Sequence, residues 1–269
     1  MSNYKTPEGF DLHKDPAACG KLTETEYFSK TTGTTRKCFV YTPPAYNPEE
    51  TYPVMYLLHG IGGTHTEWLN GAPNEILSNL INAGEAVPMI VVIPNVRAMT
   101  NDSVPEEIFT PTHAAAFDNF INDLQDDLMP FISANYKVHN TREFVAVAGL
   151  SMGGRESIYI GLSMPETFGY IGAFSPAPGV LPYESREPMI HKGLFTPQQM
   201  TLPEEFKQNT FILMNNGLEE ERFHDIATSY HNAFNENGVP HIYYTTDGGH
   251  DFRVWKNGLY HFAKRIFIV

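Results

Sequence analysis

Six short apolar runs, each about as long as one buried strand, recur along the 269 residues. An uninterrupted apolar run of this length is typical of a parallel strand that is covered on both faces. Segments with helical periodicity separate the runs, so the pattern predicts an α/β fold with a mostly parallel central sheet and helices on both faces. The predicted strands are 52–60, 88–95, 143–150, 170–175, 210–216 and 241–246.

Three other segments have the spacing of amphipathic helices. Apolar residues recur at steps of three and four over 117–132 and over 223–234, and Asn237-Gly238 supplies a stop after the second. The closing stretch 252–267 predicts a third helix. Ahead of the first buried strand, residues 22–29 and 37–42 predict an antiparallel hairpin that turns near Thr32-Gly33.

The two cysteines are predicted to be free thiols. With a turn near Thr32-Gly33, Cys38 faces about position 27, and Cys19 lies well away from it. A disulfide needs Cα atoms within about 7 Å. Two unpaired cysteines are compatible with either a reducing or an oxidising compartment.

The length fits one domain, residues 1–269, because α/β folds often reach about 250 residues undivided. Residues 175–209 interrupt the alternation, with six prolines and little periodicity. A loop this long is uncommon in a compact domain unless it is functional. We expect it to run over the strand ends and to wall a substrate pocket; a surface insertion without a role is the alternative.

The charge and the hydropathy pattern exclude several classes of partner. The 31 acidic residues exceed the 18 Lys and Arg by 13, whereas a nucleic-acid or anionic-membrane partner requires a basic face. No run approaches the 18 apolar residues of a membrane span. The first residues, MSNYKTPEGF, lack the pattern of a secretory signal. The residues alone therefore leave a cytosolic protein or a mature secreted domain as alternatives.

The motif GLSMG at 149–153 lies between a predicted strand and a helix-like run over 154–163. That context is the one a nucleophile elbow requires: a serine on a tight strand-to-helix turn, with small residues two positions on either side. The helix N-terminus behind such a serine favours developing negative charge. Ser151 is therefore the predicted nucleophile.

A serine hydroxyl needs a base, and in an α/β hydrolase the chain order is serine, acid, histidine. His250 follows the last strand in a Gly-rich loop and is the predicted base. The other downstream histidines lie on predicted helices, at a strand start or in the Pro-rich segment: His191, His224, His231, His241 and His261.

The acid should follow the fifth strand, beyond Asn216. The first acidic residues there are three consecutive glutamates, and any of them could orient an imidazole. The residues alone leave four alternatives: Glu219, Glu220, Glu221 and, one helical turn on, Asp225.

The oxyanion hole should combine the amide of Met152 with one from the Gly-rich turn HGIGG at 59–63. His59 is expected to hold that turn by hydrogen bonds rather than to act as a base. A phosphate-binding loop is the alternative, but the turn lacks the Walker lysine and the dinucleotide spacing. No Cys or His pair has zinc-ligand spacing, and neither a metal nor a cofactor is expected.

The segments YLLHGIGGTHTEW, GLSMGG and GGHDFRVWKNGL together resemble the feruloyl (cinnamoyl) esterases of carbohydrate esterase family one, within the esterase D-like superfamily. The similarity is greatest to the esterase domains of cellulosomal xylanases. It runs from about Gly9 to Phe267 and includes YTPPAY at 41–46.

The resemblance implies an α/β-hydrolase fold, secretion, and hydrolysis of hydroxycinnamoyl esters on the arabinoxylan of plant cell walls. It implies Ser151 as nucleophile, His250 as base, and the Ile61 and Met152 amides as the oxyanion hole. The family's acid is an aspartate, and the matching position here is Glu220.

An aromatic acyl group would need a flat apolar slot, and Trp68, Trp255 and Pro176 are the candidates to border it. Three other functions remain as alternatives: an acetyl-xylan or other short-acyl esterase, an acyltransferase on the same fold, and a carbohydrate-binding pseudoenzyme. The oligomeric state is not predicted.

Overall fold

The structure, a computed structural model, describes residues 4–14, 18–183 and 192–268. Eight strands form one sheet in the order β1-β2-β4-β3-β5-β6-β7-β8. Strand β2 pairs antiparallel with β1 and β4, and every other pairing is parallel. The predicted α/β-hydrolase fold with an N-terminal hairpin is confirmed. The strands are β1 (Lys21–Ser29), β2 (Thr34–Thr42), β3 (Val54–Leu58), β4 (Ile90–Pro94), β5 (Val145–Leu150), β6 (Tyr170–Phe174), β7 (Phe211–Gly217) and β8 (Ile242–Thr246).

The apolar runs form strands because both of their faces are covered. In β3, the side chains of Val54 and Tyr56 pack into the core on one face of the sheet. Those of Met55 and Leu57 pack into the core on the other face. Helices α1 and α8 cover the second face, and α2 to α5 with α7 cover the first. The helices are α1 (Pro73–Asn82), α2 (Pro111–Asp118), α3 (Phe120–Asp123), α4 (Met129–Asn135), α5 (Met152–Ser163), α6 (Glu204–Lys207), α7 (Glu221–Glu236) and α8 (Phe252–Ala263).

The helix predicted over 117–132 is longer and less regular than expected. It begins at Pro111, where the Thr110 hydroxyl caps the first turn, and a π-helical turn at Leu124–Leu128 separates α3 from α4. Helix α8 ends at Ala263, four residues before the predicted limit. Helix α1 was not predicted from the sequence, although Pro73 at its first turn and the apolar Leu77 facing the core are helix signals.

The predicted register of the hairpin is wrong by two residues. Ser29 pairs with Thr34, so Cys38 faces Thr25 and not position 27. The connection has four residues and closes on Gly33, whose φ of 72° is left-handed and whose N–H donates to the Ser29 carbonyl. Cys38 is free and buried, and burial raises the pKa of its thiol to about 12, so it is inert at neutral pH.

The first part of the Pro-rich segment packs against α7. The Tyr230 hydroxyl donates to the Ala177 carbonyl and accepts from the Val180 N–H. Residues 184–191, which include the candidate His191, lie outside the described residues. The role of 175–209 as a pocket wall stays a prediction. Among the described residues, no helix is both long and apolar enough to cross a membrane.

Candidate active site

The chain turns sharply at Ser151, between the end of β5 and the start of α5. Ser151 has φ 51° and ψ −114°, a strained conformation for a residue with a side chain. A Cβ on Gly149 would lie 2.5 Å from the Gly153 backbone, and one on Gly153 would lie 2.4 Å from the Leu58 carbonyl oxygen. Both glycines are therefore required for the turn, as the spacing of the motif predicts.

His250 lies on the loop between β8 and α8 and reaches the serine. Its Nε2 is 2.9 Å from Ser151 Oγ, and its Nδ1 is 3.2 Å from Glu220 Oε1. A carboxylate only accepts, so Nδ1 carries the proton and Nε2 accepts from the serine hydroxyl. Because parallel strands end at one edge of the sheet, the loops after β5, β7 and β8 bring these three side chains together.

Glu220 is the acid that the structure brings to the histidine. It is 4% exposed, whereas Glu219, Glu221 and Asp225 point to solvent. The Glu219 N–H donates to the Gly248 carbonyl, which joins the acid loop to the histidine loop. The glutamate side chain therefore reaches the imidazole at the position where the resemblance predicts an aspartate.

Two aromatic rings fix the imidazole plane. Phe223 stacks on the His250 ring with centroids 3.7 Å apart and planes 13° apart, and Trp255 meets it edge-on at 5.1 Å. No sequence motif marks Phe223 as a residue of the site. Its position three residues after Glu220, one helical turn along α7, is the signal that could have found it.

The Gly-rich turn lies against the nucleophile. A Cβ on Gly60 would be 3.4 Å from Ser151 Cβ. The Gly60 carbonyl accepts from His59 Nδ1 at 2.7 Å and from the Gly63 N–H. Because N–H and C=O point in opposite directions in a trans peptide, these bonds aim the Ile61 N–H away from His59. Met152 is the first residue of α5, where an N–H has no partner within the helix.

His59 holds the turn, as expected from the sequence. It is fully buried, and burial lowers the pKa of its imidazole to about 3, so the ring is neutral. The Gly60 carbonyl only accepts, so the proton is on Nδ1, and Nε2 accepts from the Val96 N–H at 2.8 Å. A buried neutral ring with both nitrogens engaged is a structural support and not a base.

Two charged residues that the sequence did not indicate also hold this turn. Arg97 donates to the carbonyls of Ile61 and Gly63 at 3.2 and 2.9 Å. Glu67 accepts from the Gly60 N–H at 2.7 Å, and burial raises the pKa of its carboxyl. No local motif marks either residue: Glu67 lies seven residues after Gly60 in the connection that follows β3, and Arg97 reaches the turn from the loop after β4.

The prediction that Trp68 borders a substrate slot is wrong. Its side chain is fully buried, its Nε1 donates to the Leu58 carbonyl, and its ring packs edge-on against Phe174 and Phe252. An indole embedded in the core has no surface to offer a ligand.

The other two candidates for that slot are buried too. Trp255 is 8% exposed and lies beside the imidazole, and Pro176 follows β6 next to the elbow. Contact of Trp255 or Pro176 with substrate stays a prediction.

The other described downstream histidines do not reach Ser151. His224 points to solvent, His231 and His241 contact each other at 2.7 Å, and His261 is buried on α8. Within residues 4–14, 18–183 and 192–268, no group of three or more His, Cys, Asp or Glu side chains is placed to hold a metal ion.

A strained serine after a central strand, hydrogen-bonded through a histidine to a buried carboxylate, is the site of the serine hydrolases with an α/β-hydrolase fold. Residues 29–266 match the model of the esterase family described as "Putative esterase". The chain is also 31% identical to the CE1 ferulic acid esterase of the anaerobic fungus Anaeromyces mucronatus, over 99% of this chain and 98% of that one. The TM-score is 0.90 for that protein without substrate and 0.92 for its complex with ferulic acid.

The chain therefore belongs to the esterase family and, within it, to carbohydrate esterase family one, as its motifs predict. It is 35% identical over 182 residues to the endo-1,4-beta-xylanase/feruloyl esterase of Xylanibacter ruminicola. The matched region covers 65% of this chain and 24% of that protein. It is 28% identical to endo-1,4-beta-xylanase Y of Acetivibrio thermocellus, over 54% of this chain and 13% of that protein. The chain thus spans a quarter or less of these curated relatives.

Proposed function

We propose that this chain is a serine esterase that hydrolyses feruloyl and related hydroxycinnamoyl esters carried by xylan. The observation that carries the proposal is the unbroken hydrogen-bonded series from Ser151 through His250 to Glu220, beside a Gly-rich turn. The ferulic acid complex of the Anaeromyces relative and the name of the Xylanibacter relative support the acyl group and the polymer.

In the first half of the reaction, Ser151 Oγ attacks the ester carbonyl and its proton passes to His250 Nε2. The carbonyl oxygen becomes an oxyanion that accepts hydrogen bonds from the Ile61 and Met152 amides. The Glu220 carboxylate stabilises the imidazolium that forms. The C–O bond of the ester then breaks, and the sugar hydroxyl leaves with the proton from Nε2.

In the second half, water repeats the sequence on the acyl-serine. Water attacks the carbonyl carbon of the acyl-serine while His250 Nε2 takes its proton. The Ile61 and Met152 amides donate hydrogen bonds to this second oxyanion. The serine leaves with the proton from Nε2, which releases the hydroxycinnamate and restores the free enzyme. Each cycle consumes one ester and one water and yields one acid and one alcohol.

The buried contact between Glu220 and His250 supports a catalytic role over a carbohydrate-binding one. A pseudoenzyme would require that Glu220, at the position where the resemblance predicts an aspartate, does not contact the histidine. A carboxylate oxygen 3.2 Å from Nδ1 is within reach of the hydrogen bond that catalysis needs.

We place the substrate outside the cell, because feruloylated xylan is a polymer of the plant cell wall. The formal charge of −13 is compatible with a largely neutral polysaccharide. Secretion of the protein is part of this proposal.

An ester panel tests the proposed function. Methyl ferulate, methyl p-coumarate and acetylated xylan are compared side by side, with release of the free acid measured by chromatography. We expect kcat/KM on the two hydroxycinnamates to exceed that on acetyl groups by at least about tenfold, because an aromatic acyl group buries more apolar area on binding than an acetyl group does. Faster release of acetate would assign the short-acyl alternative, and ester products with an added sugar acceptor would assign a transferase.

A further inference from the structure

A polar side chain besides His250 contacts the predicted catalytic carboxylate. The Ser175 hydroxyl donates to Glu220 Oε1 at 2.7 Å, and this is the oxygen that also accepts from His250. Ser175 is the first residue after β6 and is fully buried. It therefore makes no contact with bulk water.

The backbone at Ser175 is strained and fastened on both sides. Its φ of 47° is left-handed, which is uncommon for a residue with a side chain. Its N–H donates to the Asn215 carbonyl on β7, while the flanking Phe174 carbonyl accepts from the Ser151 N–H. Ser175 thus bridges the strand that ends at the nucleophile and the strand that leads to the acid.

The Glu220 carboxylate needs this donor. A buried carboxylate is costly unless hydrogen bonds replace the water that it loses. Within the described part of the chain, Glu220 Oε2 has no partner, so His250 and Ser175 are the side-chain donors to this group. A glutamate also has one more rotatable bond than an aspartate, and a second donor on Oε1 limits the orientations that the carboxylate can adopt.

We infer that Ser175 is a positioning residue, which acts on the reaction through Glu220 by holding Oε1 in line with His250 Nδ1. Ser175 does not touch the reacting ester. The inference rests on the proposed function, because it needs Glu220 to be the acid of the catalytic series.

The test compares Ser175→Ala with a matched control, Ser157→Ala. Ser157 is also fully buried and also donates a 2.7 Å hydrogen bond, but to the Gly153 carbonyl within α5. We expect Ser175→Ala to lower kcat by about 10- to 100-fold, the loss typical of removing a hydrogen bond to a charged group, with KM within about twofold. Ser157→Ala should keep kcat within about twofold of the unsubstituted protein.

Ser175→Gly separates the hydroxyl from the backbone strain, because glycine adopts a φ of 47° without cost. If the serine only supports the fold, the glycine variant keeps its activity. We expect it to lose kcat as the alanine variant does, while circular dichroism and the melting temperature show a folded protein.

A double-mutant comparison assigns the effect to the acid. In a Glu220→Ala background, Ser175→Ala should change kcat by less than about twofold, because the group on which it acts is gone. An equal loss in both backgrounds would overturn the inference, and so would full kcat in Ser175→Gly. Rates are measured on methyl ferulate and on 4-nitrophenyl acetate; an unsubstituted protein that is inactive on both overturns the proposed function, and this inference with it.

Discussion

Glu220 Oε1 lies 3.2 Å from His250 Nδ1, with the glutamate buried and the imidazole reaching Ser151 on its other side. Glu220→Ala should lower kcat by roughly 10³- to 10⁴-fold, since the histidine loses the group that orients it and stabilises its cation. Glu219→Ala is the matched control and should stay within about twofold, because Glu219 is exposed. The kcat values of both variants are measured by steady-state kinetics on methyl ferulate. Equal, mild losses of kcat in the two variants would show that Glu220 is not the catalytic acid.

Phe223 should contribute to the rate through its contact with the imidazole face. The parallel stack at 3.7 Å opposes rotation of the His250 ring and favours the imidazolium that forms during the reaction. Phe223→Leu should therefore lower kcat by about 3- to 30-fold, while Phe223→Tyr, which keeps the aromatic face, should stay within about threefold of the unsubstituted protein. Equal kcat values for the two variants would show that the π face has no role.

Buried, neutral His59 should make stability depend on pH. The pKa of its imidazole is lowered from 6.5 to about 3, so the unfolded chain takes up this proton at a higher pH than the folded one does. The stability it contributes is present above pH 6.5 and is lost progressively as pH falls towards 3. Between pH 7.5 and 5.0 the loss is about 2 kcal/mol.

His59→Gln isolates that contribution from those of the other titrating groups. The difference in unfolding free energy between the unsubstituted protein and the variant should narrow by about 2 kcal/mol over this pH range. Urea unfolding of both proteins at the two pH values measures these unfolding free energies. A difference that stays constant would show that His59 is not held neutral in the folded state.

Trp68 should affect stability and leave substrate preference unchanged. Trp68→Phe removes the hydrogen bond to Leu58 and part of a fully buried ring, which should cost about 1–3 kcal/mol of unfolding free energy. The ratio of kcat/KM values on methyl ferulate and methyl p-coumarate should stay within about twofold. A large change in that ratio with unaltered stability would return Trp68 to the substrate slot.

The strands and the elbow could be predicted because their signals are local. Buried parallel strands are apolar along their whole length, and Gly149 and Gly153 are forced by close backbone contacts around one serine. His250 follows from chain order, since it lies in the loop after the last strand.

The supports of the site could not be predicted, because they depend on which strands are neighbours. Ser175 contacts Glu220 only because β6 lies beside β7, and Arg97 reaches the Ile61 carbonyl from the loop after β4. The prediction for Trp68 is wrong for a related reason. Its position after the oxyanion turn favours a place in a pocket, but a short 3₁₀ helix at Glu67–Gly71 directs the indole into the core.

Ferulate release by a Ser151→Ala variant shows whether Ser151 is the nucleophile. Purified unsubstituted protein, Ser151→Ala and the control Ser157→Ala are assayed on methyl ferulate and on feruloylated arabinoxylan, with matched melting curves. We expect rapid ferulate release by the unsubstituted protein and by Ser157→Ala, and a loss of at least about 10⁴-fold in kcat for Ser151→Ala with its fold intact. Ferulate release by Ser151→Ala at the unsubstituted rate would show that Ser151 is not the nucleophile.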